Sequence, residues 1–325
     1  MSFSSLLINN PVLSLVNIQW QHWVIFIVCI LFFLALDLGV FHRHARVVRV
    51  KEALAWTSVW VCLSLIFAGA IWYWRGANEG TEFLTGYLIE LSLSMDNVFV
   101  IALIFGYFKI PRQYQHEVLF WGILGALVMR GIMICGGAVL VERFHWVLLI
   151  FGAFLIYSGF KMVFAGGSDD VDPSKNVMLK WFRKFFPVTN ELHGEHFVVK
   201  IDGKRFFTPL VMVLIVVETT DLIFALDSIP AIFGITQNKF IIFTSNVFAI
   251  LGLRSMYFAL AGAVEYFRYL KIGLSVVLIF IGVKMLIADW FHINTAISLG
   301  VVVVILGTSV LASLINRWAQ KSKKN

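Results

Sequence analysis

Nine runs of mainly apolar residues, each close to 20 long, dominate the sequence: 23–41, 53–74, 83–108, 118–140, 146–165, 208–234, 240–264, 271–290 and 294–316. A helix of about 20 residues crosses roughly 30 Å of hydrocarbon, and a chain in lipid must satisfy its backbone polar groups inside such helices. The runs therefore predict an all-α polytopic membrane protein of about nine transmembrane helices. Composition agrees, with 14% charged residues against about 25% in an ordinary soluble domain. The first run has no basic segment before it and no small-residue cleavage site after it, which reads as a retained span. Cys29, Cys62 and Cys135 fall within spans without paired spacing, so neither a disulfide framework nor a redox motif is expected.

The net charge of +7 does not imply nucleic acid, because the basic residues are sorted by side. With nine spans, the N-terminus and the loops on its side hold three of the 26 Lys and Arg: Arg75, Arg143 and Lys239. The opposite side holds nineteen, among them Arg43, Arg46, Arg49, Lys51, the long 166–207 loop and Arg317, Lys321, Lys323 and Lys324. Basic residues mark the cytoplasmic side, which places the N-terminus outside and the C-terminus inside.

The one long polar segment, Gly166 to Phe207, is expected to be a cytoplasmic linker. NVMLKWFRKFF (176–186) has the basic and aromatic mix of a short helix on the membrane surface. HFVVKIDGKRFF (196–207) reads as two strands around a tight Asp202-Gly203 turn. The linker divides two similar halves. ELSLSMDN (90–97) is echoed by DLIFALDS (221–228), GILGALVMR (122–130) by NVFAILGLR (246–254), and GFKM (159–162) by GVKM (282–285). Three echoes in one order make a repeat. Three spans is an odd number, so the second copy should be inverted, as in transporters with sites at the repeat interface. The expected divisions are a helix pair (1–82), a first repeat (83–165), the linker (166–207), an inverted second repeat (208–290) and a C-terminal helix with a basic tail (291–325).

Ionisable residues inside spans are costly, roughly 2.5 to 3.5 kcal/mol each at a helix centre. Glu90, Asp96, Glu218, Asp221 and Asp227 lie deepest. They could be fixed ion pairs with Arg130, Arg254 and Lys284. Five acids against three bases leave surplus negative charge, which favours a cation site. Residues six apart on a helix lie about 9 Å apart along it and about 120° around it, so Glu90 and Asp96 cannot close on one ion without a break or a second copy. Pro230 should kink its span and free the carbonyl near Leu226. Carboxylates, the Asn97 amide and the Ser228 hydroxyl are hard oxygen donors, suited to Mg²⁺, Ca²⁺ or Mn²⁺. Asp37 and Asp289, near span ends, are candidate gates. The histidines lie in loops or near span ends, and ELHGEH (191–196) reads as a solvated loop. No prosthetic group is expected.

ALAWTSVWVCLSLIFA (53–68), FLTGYLIELSLSMDNVFV (83–100), VETTDLIFALDSIPAI (217–232), TSNVFAILGLRSMYF (244–258) and GVKMLIADWFHI (281–292) resemble the TerC family of bacterial membrane proteins, and within it the Alx branch. The likeness runs from about residue 30 to 316. It implies an inner-membrane protein whose better-supported family role is metal-ion efflux, chiefly of manganese, although one branch is described as a redox modulator and the family is named for tellurite resistance. It implies functional roles for the acids at Glu90, Asp96, Glu218, Asp221 and Asp227. Leu91, where the family often has Lys, and Thr219-Thr220, where Leu-Ser is more usual, depart from its pattern. The expectation is a proton-coupled secondary exporter of Mn²⁺ or a similar dication, with no Walker loop for ATP. A membrane-bound redox modulator or a tellurite-resistance or signalling component is the alternative, and an intramembrane enzyme a third.

Overall fold

The computed structural model describes residues 19–41, 50–144, 146–164, 176–189, 191–201, 203–260, 269–288, 290–291 and 293–324. Asp289 and the side chains of Asp37 and Asp96 lie outside the described residues. The apolar runs become helices α1 (Trp20–Phe41), α2 (Val50–Arg75), α3 (Ala77–Tyr107), α4 (Arg112–Arg143), α5 (Val147–Phe164), then α7 (Pro209–Phe233), α8 (Lys239–Leu260), α9 (Leu270–Leu286) and α10 (Thr295–Lys324). Seven are long and apolar enough to cross a membrane by length and composition. The apolar part of α1 (Trp20–Ala35) and the 17-residue α9 are shorter.

Between α5 and α7 stand the short helix α6 (Val177–Phe185) and the hairpin β1 (Val198–Ile201) and β2 (Lys204–Phe207). Asn176 caps α6, its side chain accepting from the Leu179 N–H at 3.0 Å. The strands pair antiparallel from Val198 with Phe207 to Ile201 with Lys204. That register leaves a two-residue turn, where Gly203 has φ +80°, a conformation that costs glycine nothing.

The helix triplets α3–α5 and α7–α9 pack against each other in matching pairs. α3 lies on α8 and α4 on α7, while α3 meets α7, α4 meets α8 and α5 meets α9. The α5–α9 contact is close because both helices present glycine. A Cβ on Gly159 would stand 2.8 Å from the Ser275 carbonyl, and one on Gly282 would stand 2.6 Å from the Gly152 carbonyl. Small residues allow such backbone approach in lipid, where packing replaces the hydrophobic effect as the driving force. Gly159 and Gly282 are the first residues of the echoed GFKM and GVKM. Each meets the other helix seven residues before its counterpart, so these two helices run antiparallel. Outside the triplets, α1 and α2 are held by an aromatic cluster in which Phe26, Phe67, Phe83, Phe240 and Phe248 interlock.

Candidate functional site

Both eight-residue motifs lie on unbroken helix, ELSLSMDN within α3 and DLIFALDS within α7. α7 continues as helix through Pro230 to Phe233, and what the proline removes is the N–H opposite the Leu226 carbonyl. On intact helices, residues seven apart fall within about 20° of one another, whereas residues six apart are turned by about 120°. The first and eighth residues of each motif therefore share a face: Glu90 with Asn97, and Asp221 with Ser228.

Glu90, Asp221 and Ser228 converge on Arg130 of α4, which is 2% exposed, and Asn97 joins through Asp221. Its guanidinium grips Asp221 with two prongs, Nη2 donating to Oδ1 at 2.8 Å and Nε to Oδ2 at 3.1 Å. Nη1 pairs with the carboxylate of buried Glu90 and reaches the Ser228 hydroxyl oxygen at 3.4 Å. The Asn97 amide donates to Asp221 Oδ1 at 3.4 Å. One side chain thus ties together three helices, and the planar fork of arginine suits this where a lysine would act only as a point charge.

Among the described residues, two acceptors beside this clasp have no donor: Asn97 Oδ1 and Glu218 Oε2 are buried without a hydrogen-bond partner. Glu218 sits three residues before Asp221 on the same side of α7. It lies over Gly125 of α4, so closely that a Cβ there would stand 2.0 Å from Oε1.

The remaining expected residues are placed elsewhere. Asp227, expected to converge with Asp221, faces α5 instead, where the Ser158 hydroxyl donates to its Oδ1 at 2.6 Å and Lys161 supplies positive charge. The 120° rotation between positions 221 and 227 is the physical reason. Arg254 is buried in α8. Lys284, expected to compensate the motif acids, acts on Glu82 near the start of α3. There the Thr236 hydroxyl donates to Glu82 Oε2 at 2.6 Å, and the Asn238 amide donates to Glu79 Oε2 at 3.2 Å. Among the described residues, no three His, Cys, Asp or Glu side chains stand close enough together to hold a metal ion. Arg130 itself occupies the space between Glu90 and Asp221. Sequence reasoning missed Gly125 and Ser158. Gly125 carried a signal, a glycine five residues before the arginine in an echoed motif; Ser158 carried none.

A profile of the integral membrane protein TerC family matches residues 75–324. The chain belongs to the TerC family. It is 51% identical over 293 residues to an uncharacterized membrane protein of Myxococcus xanthus, covering 90% of this chain and 92% of the other. It is 48% identical over 305 residues to a protein of Escherichia coli (strain K12) that bears the name membrane-bound redox modulator Alx, covering 91% and 94%. An uncharacterized membrane protein of Rickettsia bellii is 43% identical over 295 residues, covering 91% and 97%. No solved structure matches. The family match takes in α3–α5 and α7–α9 whole, so every residue of the Arg130 clasp lies within it.

Proposed function

We propose that this TerC protein is a secondary transporter that exports a divalent cation, foremost Mn²⁺, from the cytoplasm. The observation that carries this reading is the clasp itself. The carboxylates of Glu90 and Asp221 pair with the Arg130 guanidinium, and that of Glu218 stands beside them against Gly125, one turn before Asp221 on α7. If all three are ionised, two negative charges remain, the charge of one dication. Asn97 Oδ1 and Glu218 Oε2 add buried acceptors that await a positive partner. All of these are hard oxygens, which suit Mn²⁺, Mg²⁺ or Ca²⁺. Arg130 then acts as a tethered stand-in cation: it neutralises Glu90 and Asp221 when no ion is present and must withdraw when one binds.

The antiparallel α5–α9 pairing and the matched contacts of the two triplets support an inverted repeat, the architecture of alternating access. The asymmetry of basic residues supports an inner-membrane orientation with the Arg75 end outside. Protons are the natural counter-ion, because carboxylates in a low-dielectric site bind them more readily than in water.

The test is total cell manganese after expression. Cells making the wild-type chain should hold less manganese than empty-vector cells, and Asp221→Asn or Asp96→Asn should abolish the difference while the protein still inserts. Unchanged export in both variants would rule the site out. The name of the E. coli relative favours a second reading, redox modulation. The three cysteines of this chain, all free and facing outward, offer that chemistry no internal dithiol.

A further inference from the structure

We infer that α6 is a recognition surface for anionic phospholipid headgroups, independent of the ion site. The helix divides into three sectors. Leu179 is buried against the end of the bundle, within the cluster that holds Phe105, Leu210 and Val213, and Phe182 stacks on Phe186 and meets Phe207 of the hairpin. That sector fixes α6 on the first turns of α7. The adjoining sector is equally apolar but covered by none of the described residues: Val177 is 77%, Trp181 57% and Phe185 58% exposed. At 100° per residue the two sectors form one continuous apolar arc of about 200°, half seated on protein and half open. The third sector is basic, carrying Lys180, Arg183 and Lys184, all exposed.

A helix packed all round by protein would not carry three cations on one third of its surface. A helix in water would not leave a tryptophan and a phenylalanine, with rings 4.7 Å apart, in the open. The occupant that satisfies both sectors is the boundary of the bilayer in which the bundle already sits. The open apolar half lies among acyl chains while the cations reach phosphates. Lys184 stands 6.0 Å over the Phe185 ring, so a cation of the basic sector reaches an aromatic of the open apolar one. Three clustered cations distinguish anionic from zwitterionic headgroups, each adding roughly fivefold in affinity, so the set gives on the order of a hundredfold.

The experiment uses the full chain with Cys29, Cys62 and Cys135 replaced by Ser and a spin label at Trp181→Cys. It is reconstituted in phosphatidylcholine vesicles with and without phosphatidylglycerol. Relaxation by oxygen reports lipid contact, and relaxation by a water-soluble nickel chelate reports solvent contact. The expected result is lipid-type accessibility that deepens with phosphatidylglycerol, and loss of that dependence in Lys180→Gln/Arg183→Gln/Lys184→Gln. These positions are exposed, so the triple variant should fold, and unchanged α7 accessibility from a label at Leu222→Cys checks this. Solvent-type accessibility in both vesicles overturns the inference. So does protection from both reagents, which would mean a protein partner or second copy covers the face. Lipid contact with no dependence on phosphatidylglycerol overturns the headgroup recognition.

Discussion

Deep in the bundle, Arg130 holds carboxylates from two helices through the whole of its fork, and the groups it pairs are almost wholly removed from solvent. Eight residues earlier on α3, roughly 12 Å along the helix, Glu82 is half-buried and receives one hydroxyl, from Thr236. Lys284 acts on it only electrostatically, without a direct hydrogen bond. Both regions join α3 to the second triplet. They differ in what replaces a lost partner. At Glu82 water can; at Arg130 nothing can, so each missing partner leaves a buried charge. The interior clasp should therefore be strong and intolerant, and the end cluster weak and adjustable, as a gate needs to be.

Arg130→Leu should have the largest effect. It strands two buried carboxylates, and breaking a buried pair this way costs about 3–5 kcal/mol. Denaturant unfolding of the purified protein in detergent measures it. Adding Glu90→Gln and Asp221→Asn to the same chain should restore most of that stability without restoring export, since replacing every member of a buried ionic group is far milder than removing one. A wild-type unfolding midpoint for Arg130→Leu alone would erase the contrast between the two regions.

Asp221→Asn comes next. It keeps the shape but withdraws one charge and an acceptor of the fork, a loss of about 1.5–3 kcal/mol in a charge-assisted bond. Export should fall about tenfold or more, read as manganese retained in proteoliposomes. Asp227→Asn is a sharper probe of placement. Asp227 holds Ser158 rather than Arg130, so its variant should leave unfolding stability closer to wild type than Asp221→Asn does.

Gly125→Ala tests the edge of the clasp. The added methyl needs the space Glu218 fills, and overpacking of that kind costs about 1–3 kcal/mol. Pairing it with Glu218→Ala should recover much of the loss, and a double-mutant cycle measures the coupling. Additive losses would mean that Glu218 and Gly125 do not share that space.

Much of this was readable before any coordinates. Apolar run length marked where the helices lie, seven of them long and apolar enough to cross a membrane, and charge cost singled out Glu90, Asp221 and Arg130. Even the division of labour inside each motif follows from helical rotation, since a seven-residue step returns to the same face and a six-residue step does not. The sequence expected Asp227 to join Asp221 at one site; α7 remains helical through Pro230, and Asp227 turns to α5. What could not be read is partner choice across helices. Ser158 to Asp227 and Lys284 to Glu82 depend on how α5 and α9 are rotated. That rotation is set by the contacts of Gly152, Gly159 and Gly282, which periodicity alone does not order.

The smallest effect is expected at Thr236. Its hydroxyl donates to Glu82 Oε2 at 2.6 Å and accepts from the Asn238 N–H at 3.1 Å, so it links α3 to the turn that opens α8. Thr236→Val keeps the volume and deletes both bonds. A neutral hydrogen bond contributes about 1 kcal/mol net, and water reaching the half-buried Glu82 can take over part of it. Unfolding stability should thus change by about 1 kcal/mol or less, against the several expected at Arg130. The local signature should be larger than the global one. Amide exchange should quicken across residues 235–240, while the middle of α8 around Ser245–Ile250, which is buried, keeps its protection. A loss as large as that of Arg130→Leu would mean the end cluster is a second structural clasp rather than an adjustable closure.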